Sequence, residues 1–227
     1  MPISDQRPVD TFIAPPCHDD IRILFQDEHF LLIDKPSGLL SLSGKNPRNK
    51  DSVHYRLVQD YPSATLAHRL DFGTSGIMII PLSKAVNAVF NRQFQARTIT
   101  KTYTAILHGI MAKDSGTIEY PVAKDPPNFP LQKICTDTGK AAISHYHVQY
   151  RDPVQNTTRV TFTPLTGRTH QLRIHSREIG HSILGCDLYA TKAVGSMAPR
   201  LMLHATSLDF DHPVTSDRVH AVCDCPF

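Results

Sequence analysis

The pattern of hydrophobic and polar positions predicts more strands than helices along this chain. Apolar residues alternate with polar ones, or form short continuous runs, over seven segments that predict strands: 21–26, 30–35, 76–82, 101–110, 142–150, 159–165 and 201–210. Helical spacing of apolar residues predicts helices over 52–61, from 83 onward, and over 169–180. Short turns join several neighbouring strands. We therefore expect an α+β fold, a single domain with a mixed, mainly antiparallel central sheet flanked by helices and loops.

Hydroxyl and proline residues set the expected limits of these elements. Ser52, Ser83 and Thr169 precede the three helical patterns, and a hydroxyl oxygen can accept a hydrogen bond from the first helical turn. Residues 113–140 contain four prolines, so we predict little regular structure there beyond a short strand near 117–122. Four prolines in residues 1–20 predict an N-terminal arm ahead of a domain over 21–227.

Composition is typical of a water-soluble globular protein. The chain of 227 residues is 41% hydrophobic and 20% charged. Its apolar runs are far shorter than the ~20 residues that span a membrane, and its first residues lack the pattern of a signal peptide. Five cysteines in a chain of this length are typical of reduced thiols. We expect a cytoplasmic protein that acts as a monomer and does not associate with membranes.

One loop concentrates charged and conformationally free residues ahead of a buried strand. His68, Arg69 and Asp71 lie within four positions, and Gly73 and Gly76 follow them. Two glycines so close together predict a tight turn with unusual backbone angles. A rigid strand is a good support for a catalytic carboxylate on the loop before it. The alternative interpretation is a surface pair of Arg69 and Asp71 ahead of an ordinary hairpin.

Basic residues cluster in a later segment. The net charge is only +3, but five basic residues fall within ten positions: Arg168, His170, Arg173, His175 and Arg177. A local basic patch suits an anionic partner such as nucleic acid. A solvated helix face would show the same pattern.

Motifs for several cofactor-dependent chemistries are missing from the sequence. It contains neither a Walker-type loop nor a glycine fingerprint after a strand, which argues against chemistry driven by ATP or NAD. The histidine and cysteine spacings do not form a recognised metal motif, so we predict no metal and no cofactor. Asp71 suits covalent attack at a sugar carbon, as in retaining glycosidases, but such a hydrolase also needs a second carboxylate as acid. An aspartate near a basic surface better fits an anionic sugar substrate.

Two long motifs and four short ones resemble those of RluA-type pseudouridine synthases. Residues 68–76, His-Arg-Leu-Asp-Phe-Gly-Thr-Ser-Gly, resemble the first family signature, and residues 167–175, Gly-Arg-Thr-His-Gln-Leu-Arg-Ile-His, resemble the second. Short motifs agree in order and approximate spacing: Lys35-Pro36-Ser37-Gly38, Lys101-x-Tyr103, His181-x-Ile183-Leu184-Gly185 and Leu203-His204-Ala205. The resemblance covers about residues 20–210, and Phe-Gly after the aspartate departs from what other members often carry. It implies the pseudouridine synthase fold and an isomerisation of uridine in RNA without a cofactor.

The resemblance also implies roles for individual residues. Asp71 is expected to be the catalytic nucleophile, and Tyr103 to lie against the uracil and to serve the later removal of the C5 proton. Arg173 is expected to form a bidentate pair with Asp71 that keeps it ionised and oriented. Arg69 is expected to fill the gap that a flipped base leaves. Arg168, Lys45 and Arg48 are expected to hold phosphates, and His170 is expected to contact the RNA.

The substrates implied by the resemblance are transfer RNA and ribosomal RNA. The short chain without an added N-terminal RNA-binding domain resembles family members that modify both the anticodon stem-loop of transfer RNA and a hairpin of large-subunit ribosomal RNA. Two alternatives are a synthase for ribosomal RNA alone and a non-catalytic RNA-binding relative. The presence of Asp71 with both candidate partners argues against the non-catalytic relative.

Overall fold

One nine-stranded sheet and one two-stranded sheet form the framework of the computed structural model, which describes residues 12–227. In chain order the strands are β1 (Arg22–Gln26), β2 (Phe30–Lys35), β3 (Ser75–Pro81), β4 (Thr100–His108), β5 (Ser115–Glu119), β6 (Val122–Lys124), β7 (Gln132–Ile134), β8 (Ile143–Asp152), β9 (Thr157–Pro164), β10 (Leu203–Asp211) and β11 (Arg218–Val222). The helices are α1 (Val53–Asp60), α2 (Lys84–Ala96), α3 (Gln171–Glu178) and α4 (Lys192–Gly195). Two short 3-10 turns cover Pro47–Asn49 and Pro126–Asn128.

The large sheet is mixed and mainly antiparallel, as predicted. Its order is β1-β2-β3-β10-β4-β9-β8-β5, and β11 also pairs with β10. In this order the one parallel pair is β3 with β10, which meet at Ser75↔His204 and Gly76↔Ala205. This pairing puts β10 directly beside β3, the strand that follows the Asp71 loop.

Two hydrophobic clusters pack against this sheet. The first contains β3, which is buried at every position, and includes Phe30, Phe90 and Phe210, whose ring centroids lie 5.5–5.6 Å apart. The second gathers residues of β4, β9 and α3. Tyr103 on β4 packs against both clusters, so it lies where they meet.

Two of the three predicted helix caps are confirmed. Ser52 Oγ accepts from Tyr55 N, and Ser83 Oγ accepts from Val86 N. The prediction for Thr169 was wrong, because α3 begins at Gln171 after His170, whose φ is 56° and whose side chain does not cap the helix.

The side chain of Gln171 anchors the start of α3 instead. Its Oε1 accepts from Arg168 N over 2.9 Å and from Thr166 Oγ1 over 2.7 Å, and its Nε2 donates to Ile143 O over 3.0 Å. Buried side-chain hydrogen bonds thus fix the helix to β8, where local spacing had suggested a hydroxyl cap.

The proline-rich segment is more regular than the sequence predicts. The strand expected near 117–122 is divided at Pro121 into β5 and β6, and β6 pairs with β7 in the small sheet. Antiparallel pairing of β5 with β8 and of β6 with β7 overrides the proline signal, because the prolines of 126–130 lie in the connecting turn.

The described part of the N-terminal arm, residues 12–20, lies against the domain without helix or strand. Asn49 Oδ1 accepts from Ala14 N over 2.8 Å, and its Nδ2 donates to Phe12 O over 2.7 Å. Arg56 donates to the carbonyl oxygens of Cys17 and Asp19. Residues 1–11 of the predicted arm lie outside the described residues. In the part of the chain from residue 12 onward, none of the helices has the length and apolar character needed to cross a membrane.

Candidate active site

A cleft of about 660 Å³ opens between the loop ahead of β3, the end of α2, the start of β4 and the segment that joins β9 to α3. Asp71 is the one carboxylate among the described residues that line it. Four cations line the same cleft: Arg69, Arg97, Lys101 and Arg168. One negative group therefore lies within a positive surround, which attracts a polyanion and presents it to a carboxylate.

A recess of about 100 Å³ adjoins this cleft and brings the three predicted catalytic residues together. Asp71, Tyr103 and Arg173 all line the recess, together with His170. They come from three separate parts of the chain: the loop before β3, strand β4 and helix α3. The structure thus assembles the set that the sequence indicated.

Hydrogen bonds from the segment after β2 hold the loop that carries Asp71. Ser41 Oγ donates to Leu70 O over 2.7 Å and accepts from Leu70 N over 3.1 Å. Ser37 Oγ donates to Gly73 O over 2.7 Å. The loop is fixed on both sides of Asp71, and such support keeps a functional side chain in one place.

A buried lysine adds a third attachment and gives the Lys35-Pro36 motif a structural role. Lys35 is fully buried, and its Nζ donates to Pro36 O over 2.8 Å, Leu39 O over 2.6 Å and Phe72 O over 3.3 Å. Three carbonyl acceptors match the three donors of an ammonium group. Burial lowers the pKa of Lys35 to about 7, and the negative charge of Asp71 opposes that shift.

The Asp71 carboxylate is only partly buried and accepts no hydrogen bond from any of residues 12–227. Its backbone carbonyl accepts from Thr74 N over 3.1 Å, which closes the turn behind it. The carboxylate thus faces the cleft with its acceptor positions unused by the described residues.

Tyr103 presents a neutral phenol beside this carboxylate. Burial raises the pKa of Tyr103, and the nearby negative charge of Asp71 raises it further. The phenol therefore stays protonated at physiological pH and offers an aromatic face and an O–H donor.

The structure does not show the expected contact between Arg173 and Asp71. Among the described residues the ion pair of Arg173 is with Asp187, whose carboxylate accepts from Nη2, while Nε donates to Cys186 Sγ over 3.3 Å. Burial acts to lower the pKa of Arg173, but Cys186, Asp71 and Asp187 together raise it. Arg173 thus lies in the field of Asp71 without a direct pair, and the predicted bidentate contact was wrong because a carboxylate from another turn binds the guanidinium.

The basic segment that begins at residue 168 does not form the surface patch that its charges suggest. Arg173 and His175 are buried, and the ring of His175 hydrogen-bonds Ser144 Oγ and Tyr120 O over 3.0 Å each. Arg177 pairs with its neighbour Glu178. Charge alone does not indicate which side of a helix is buried. The positive surface of the cleft is instead formed by Arg69, Arg97, Lys101 and Arg168, which come from separate segments.

The five residues predicted to bind RNA take different positions. Arg69 is exposed and Arg168 is partly buried, and both line the cleft. His170 lines the recess, and its Nδ1 lies 2.8 Å from Tyr189 Oη. Lys45 and Arg48 are exposed but do not line the cleft.

Three further side chains, to which the sequence analysis assigned no role, also line the cleft. Arg97 ends α2 with a φ of 60°, and Lys101 lies two positions before Tyr103 on β4. The strand alternation places residues 101 and 103 on one face, which was the available signal. His68 accepts from Ile79 N over 2.9 Å, and burial lowers its pKa to about 3, so it is a neutral part of the loop support.

One group of side chains has the composition of a metal site. Ligand atoms of Asp34, His204 and Cys223 lie within 4.8 Å of one another. Hydrogen bonds already occupy two of these residues. His204 Nδ1 lies 2.8 Å from Ser75 Oγ and its Nε2 lies 3.2 Å from Cys223 O, and Asp34 Oδ2 accepts from Arg22 Nη2 over 3.1 Å. Burial raises the pKa of Cys223 to about 12, so without a metal ion its thiol is protonated. The absence of a metal from the reaction stays a prediction.

A carboxylate on a braced loop, inside a basic cleft and beside a neutral tyrosine, is an arrangement that suits a polyanionic substrate such as a nucleic acid. A sequence profile described as RNA pseudouridylate synthase matches residues 29–178. The chain is 45% identical over 205 residues to the dual-specificity RNA pseudouridine synthase RluA of Yersinia pestis, covering 90% of this chain and 99% of that protein. It is 44% identical to the protein of that name from Escherichia coli K12, over 88% of this chain and 90% of the relative.

Solved structures agree with these sequence matches. Human RNA pseudouridylate synthase domain containing 1 superposes with a TM-score of 0.76 at 26% identity, covering 94% of this chain and 86% of that one. Human RNA pseudouridylate synthase domain containing 4 shares the fold, with a TM-score of 0.72 at 22% identity. The chain belongs to the RNA pseudouridylate synthase family and catalyses the isomerisation of uridine to pseudouridine in RNA.

Proposed function

We propose that this chain modifies a uridine in the anticodon stem-loop of transfer RNA and one in a hairpin of large-subunit ribosomal RNA, with Asp71 as its catalytic nucleophile. The observation that carries the proposal is the Asp71 carboxylate, which lies in a basic cleft with no hydrogen-bond partner among the described residues. The similarity to dual-specificity relatives supports two RNA substrates. We also propose that the protein acts in the cytoplasm as a monomer, where its five cysteines, free in the described chain, stay reduced.

The reaction requires little more than a carboxylate and a place for the detached base. The N1–C1′ bond breaks, the uracil turns, and C5 joins C1′, while C5 loses a proton and N1 gains one. No oxidation state changes, so no redox cofactor takes part. Three courses are consistent with this geometry: Asp71 attacks C1′, attacks the base, or promotes formation of a glycal. Each needs an ionised carboxylate that touches the target nucleotide.

Tyr103 fits a role as a platform for the uracil. Its ring lies where the two hydrophobic clusters meet, and an aromatic face stacks well on a flat base. A phenol with a raised pKa is a poor proton acceptor, so its protonation state favours stacking and hydrogen-bond donation over removal of the C5 proton.

Arg69 fits a role in extracting the target nucleotide. An enzyme that acts on a base must take it out of the stack, and an inserted side chain can occupy the gap. Arg69 is exposed at the cleft, two residues before Asp71. We expect Arg69→Gln to slow single-turnover tritium release from 5-tritiated uridine at least tenfold, because the cost of unstacking the base is then no longer offset by an inserted side chain. RNA affinity should fall less than about threefold. Turnover at the wild-type rate would contradict the flipping role.

The cleft cations should make RNA binding depend on salt. Each phosphate neutralised on a single strand contributes about −0.7 to the slope of log K against log salt concentration. One phosphate contact each from Arg97, Lys101 and Arg168 would therefore contribute about −2 to this slope. We expect Arg168→Ala to reduce this slope by about 0.7. Arg177→Ala is the matched control, because Arg177 pairs with Glu178 outside the cleft and should leave the slope unchanged. Equal effects of the two variants would contradict this placement of the RNA.

His170, Lys45 and Arg48 complete the proposed RNA contacts. His170 lies in the recess, and burial lowers its pKa, so it would act as a neutral hydrogen-bonding group and not as a cation. Lys45 and Arg48 are exposed beyond the cleft, where they would contact the RNA stem away from the target nucleotide.

A comparison of two synthetic RNAs tests the proposed substrates. We expect purified protein to release tritium both from an isolated anticodon stem-loop and from a large-subunit ribosomal RNA hairpin, each labelled at C5 of its uridines. Release from the ribosomal hairpin alone would make the protein a ribosomal RNA synthase. Binding of both RNAs without any release would indicate a non-catalytic relative.

A further inference from the structure

One short turn surrounds the guanidinium of Arg173 with three different kinds of contact. Cys186 Sγ accepts from Nε over 3.3 Å, and the Asp187 carboxylate accepts from Nη2. The Tyr189 ring lies against the guanidinium, with 5.4 Å between its centroid and Cζ. We call residues 186–189 the arginine cradle.

The cradle itself is firmly held. Cys186 and Tyr189 are buried, and Tyr189 Oη accepts from Gln132 N over 2.8 Å. Gly185, just ahead of the cradle, has a φ of 67°, and an added Cβ would lie 1.8 Å from Arg200 O. The turn is therefore pressed against the segment before β10 and can fix a side chain that packs on it.

The contacts of the cradle leave one edge of the guanidinium available. Nε and Nη2 are used, whereas Nη1 makes no hydrogen bond within residues 12–227. In that part of the chain every buried side-chain nitrogen or oxygen has a hydrogen-bond partner. Since Nη1 has none, it must be accessible to solvent. Arg173 lines the recess that Asp71 and Tyr103 share. A planar guanidinium anchored along one edge has its free edge fixed in direction.

We infer that Cys186, Asp187 and Tyr189 are positioning residues that aim the free edge of Arg173 at Asp71 and its substrate during uridine isomerisation. This inference rests on the proposed catalytic function of the recess. The cradle also explains how a nearly fully buried cation is tolerated, since a buried charge needs a partner and Asp187 provides one at the surface.

Asp187 is the best position for a test, because it is exposed and its loss should not disturb the core. Its side chain is 71% exposed, so Asp187→Ala removes the ion pair without creating a cavity. Asp114 offers a matched control, since its side chain is 80% exposed and pairs with Arg151 away from the cleft. Both variants remove one surface carboxylate from one arginine.

The experiment measures single-turnover tritium release, RNA affinity and the urea midpoint for Asp187→Ala and Asp114→Ala. We expect Asp187→Ala to release tritium about tenfold more slowly or worse, because a small misplacement of a positioning group is costly in rate. Its RNA affinity should match that of Asp114→Ala, while its urea midpoint should fall further, because the buried guanidinium of Arg173 loses its partner and that of Arg151 is more exposed. Asp187→Asn, which keeps an acceptor, should restore part of the rate. A wild-type rate for Asp187→Ala, or the same slowing in Asp114→Ala, would overturn the inference.

A double-mutant cycle separates this inference from the proposed function. If Asp187 acts through Arg173, Asp187→Ala should cause no further slowing in an Arg173→Lys background. If the Arg173→Lys single variant is slow but the Asp187→Ala single variant has a normal rate, the positioning role of the cradle is wrong and the role of Arg173 stands. Additive slowing in the double variant also overturns it. A normal rate for Arg173→Lys removes Arg173 from the proposed function and the cradle with it.

Discussion

Replacing Gly76 by alanine should destabilise the protein more than the same replacement at either of the other two glycines in the signature motifs, Gly73 and Gly167. Gly76 has a φ of 113°, and a Cβ there would lie 2.2 Å from Ala205 O and 2.6 Å from Ala205 N. Those atoms belong to the parallel pairing of β3 with β10, so they cannot move without breaking the sheet. Side chains rarely adopt such backbone angles, and strain of this kind costs about 1–3 kcal/mol before the overlap is counted.

The expected loss in the free energy of unfolding is about 3 kcal/mol or more, which lowers the melting temperature of a chain of this size by roughly 6–12 °C. Urea denaturation of Gly76→Ala measures it. Gly167→Ala is the matched control in the other signature, because no atom lies within 4 Å of the added Cβ. Equal unfolding free energies for the two variants would show that β3 and β10 do not approach as described.

The sequence predicts the local features of the site well. The apolar run of β3 and the glycines before it are read from neighbouring positions, and they place Asp71 on a loop at a buried strand. The serine caps of α1 and α2 are equally local, and both are confirmed. Where a structural feature depends on residues only a few positions apart, the sequence pattern is sufficient to predict it.

Features that depend on distant segments could not be predicted in the same way. Asp187 binds Arg173 from fourteen positions away, in a turn without periodicity. The burial of His175 follows from hydrogen bonds to Ser144 and Tyr120, which only the folded chain brings near. The prolines of 126–130 suggested irregular structure, but pairing of β6 with β7 depends on the partner strand as much as on its own residues.

Asp71→Asn should abolish isomerisation while leaving the fold and most RNA affinity intact. The substitution keeps the size of the side chain and removes its negative charge. The Asp71 side chain makes no hydrogen bond to the rest of residues 12–227, so asparagine breaks no described contact of the loop. RNA affinity should persist because it comes mainly from the phosphate contacts of the cleft cations.

Single-turnover tritium release from a 5-tritiated anticodon stem-loop, with a binding titration on the same RNA, is the most direct test of Asp71 as the catalytic carboxylate. We predict that Asp71→Asn binds this RNA within a few-fold of the wild type and releases tritium more than about a hundredfold more slowly, a loss of at least ~2.7 kcal/mol of transition-state stabilisation. Tritium release by Asp71→Asn at more than about a hundredth of the wild-type rate would contradict the account.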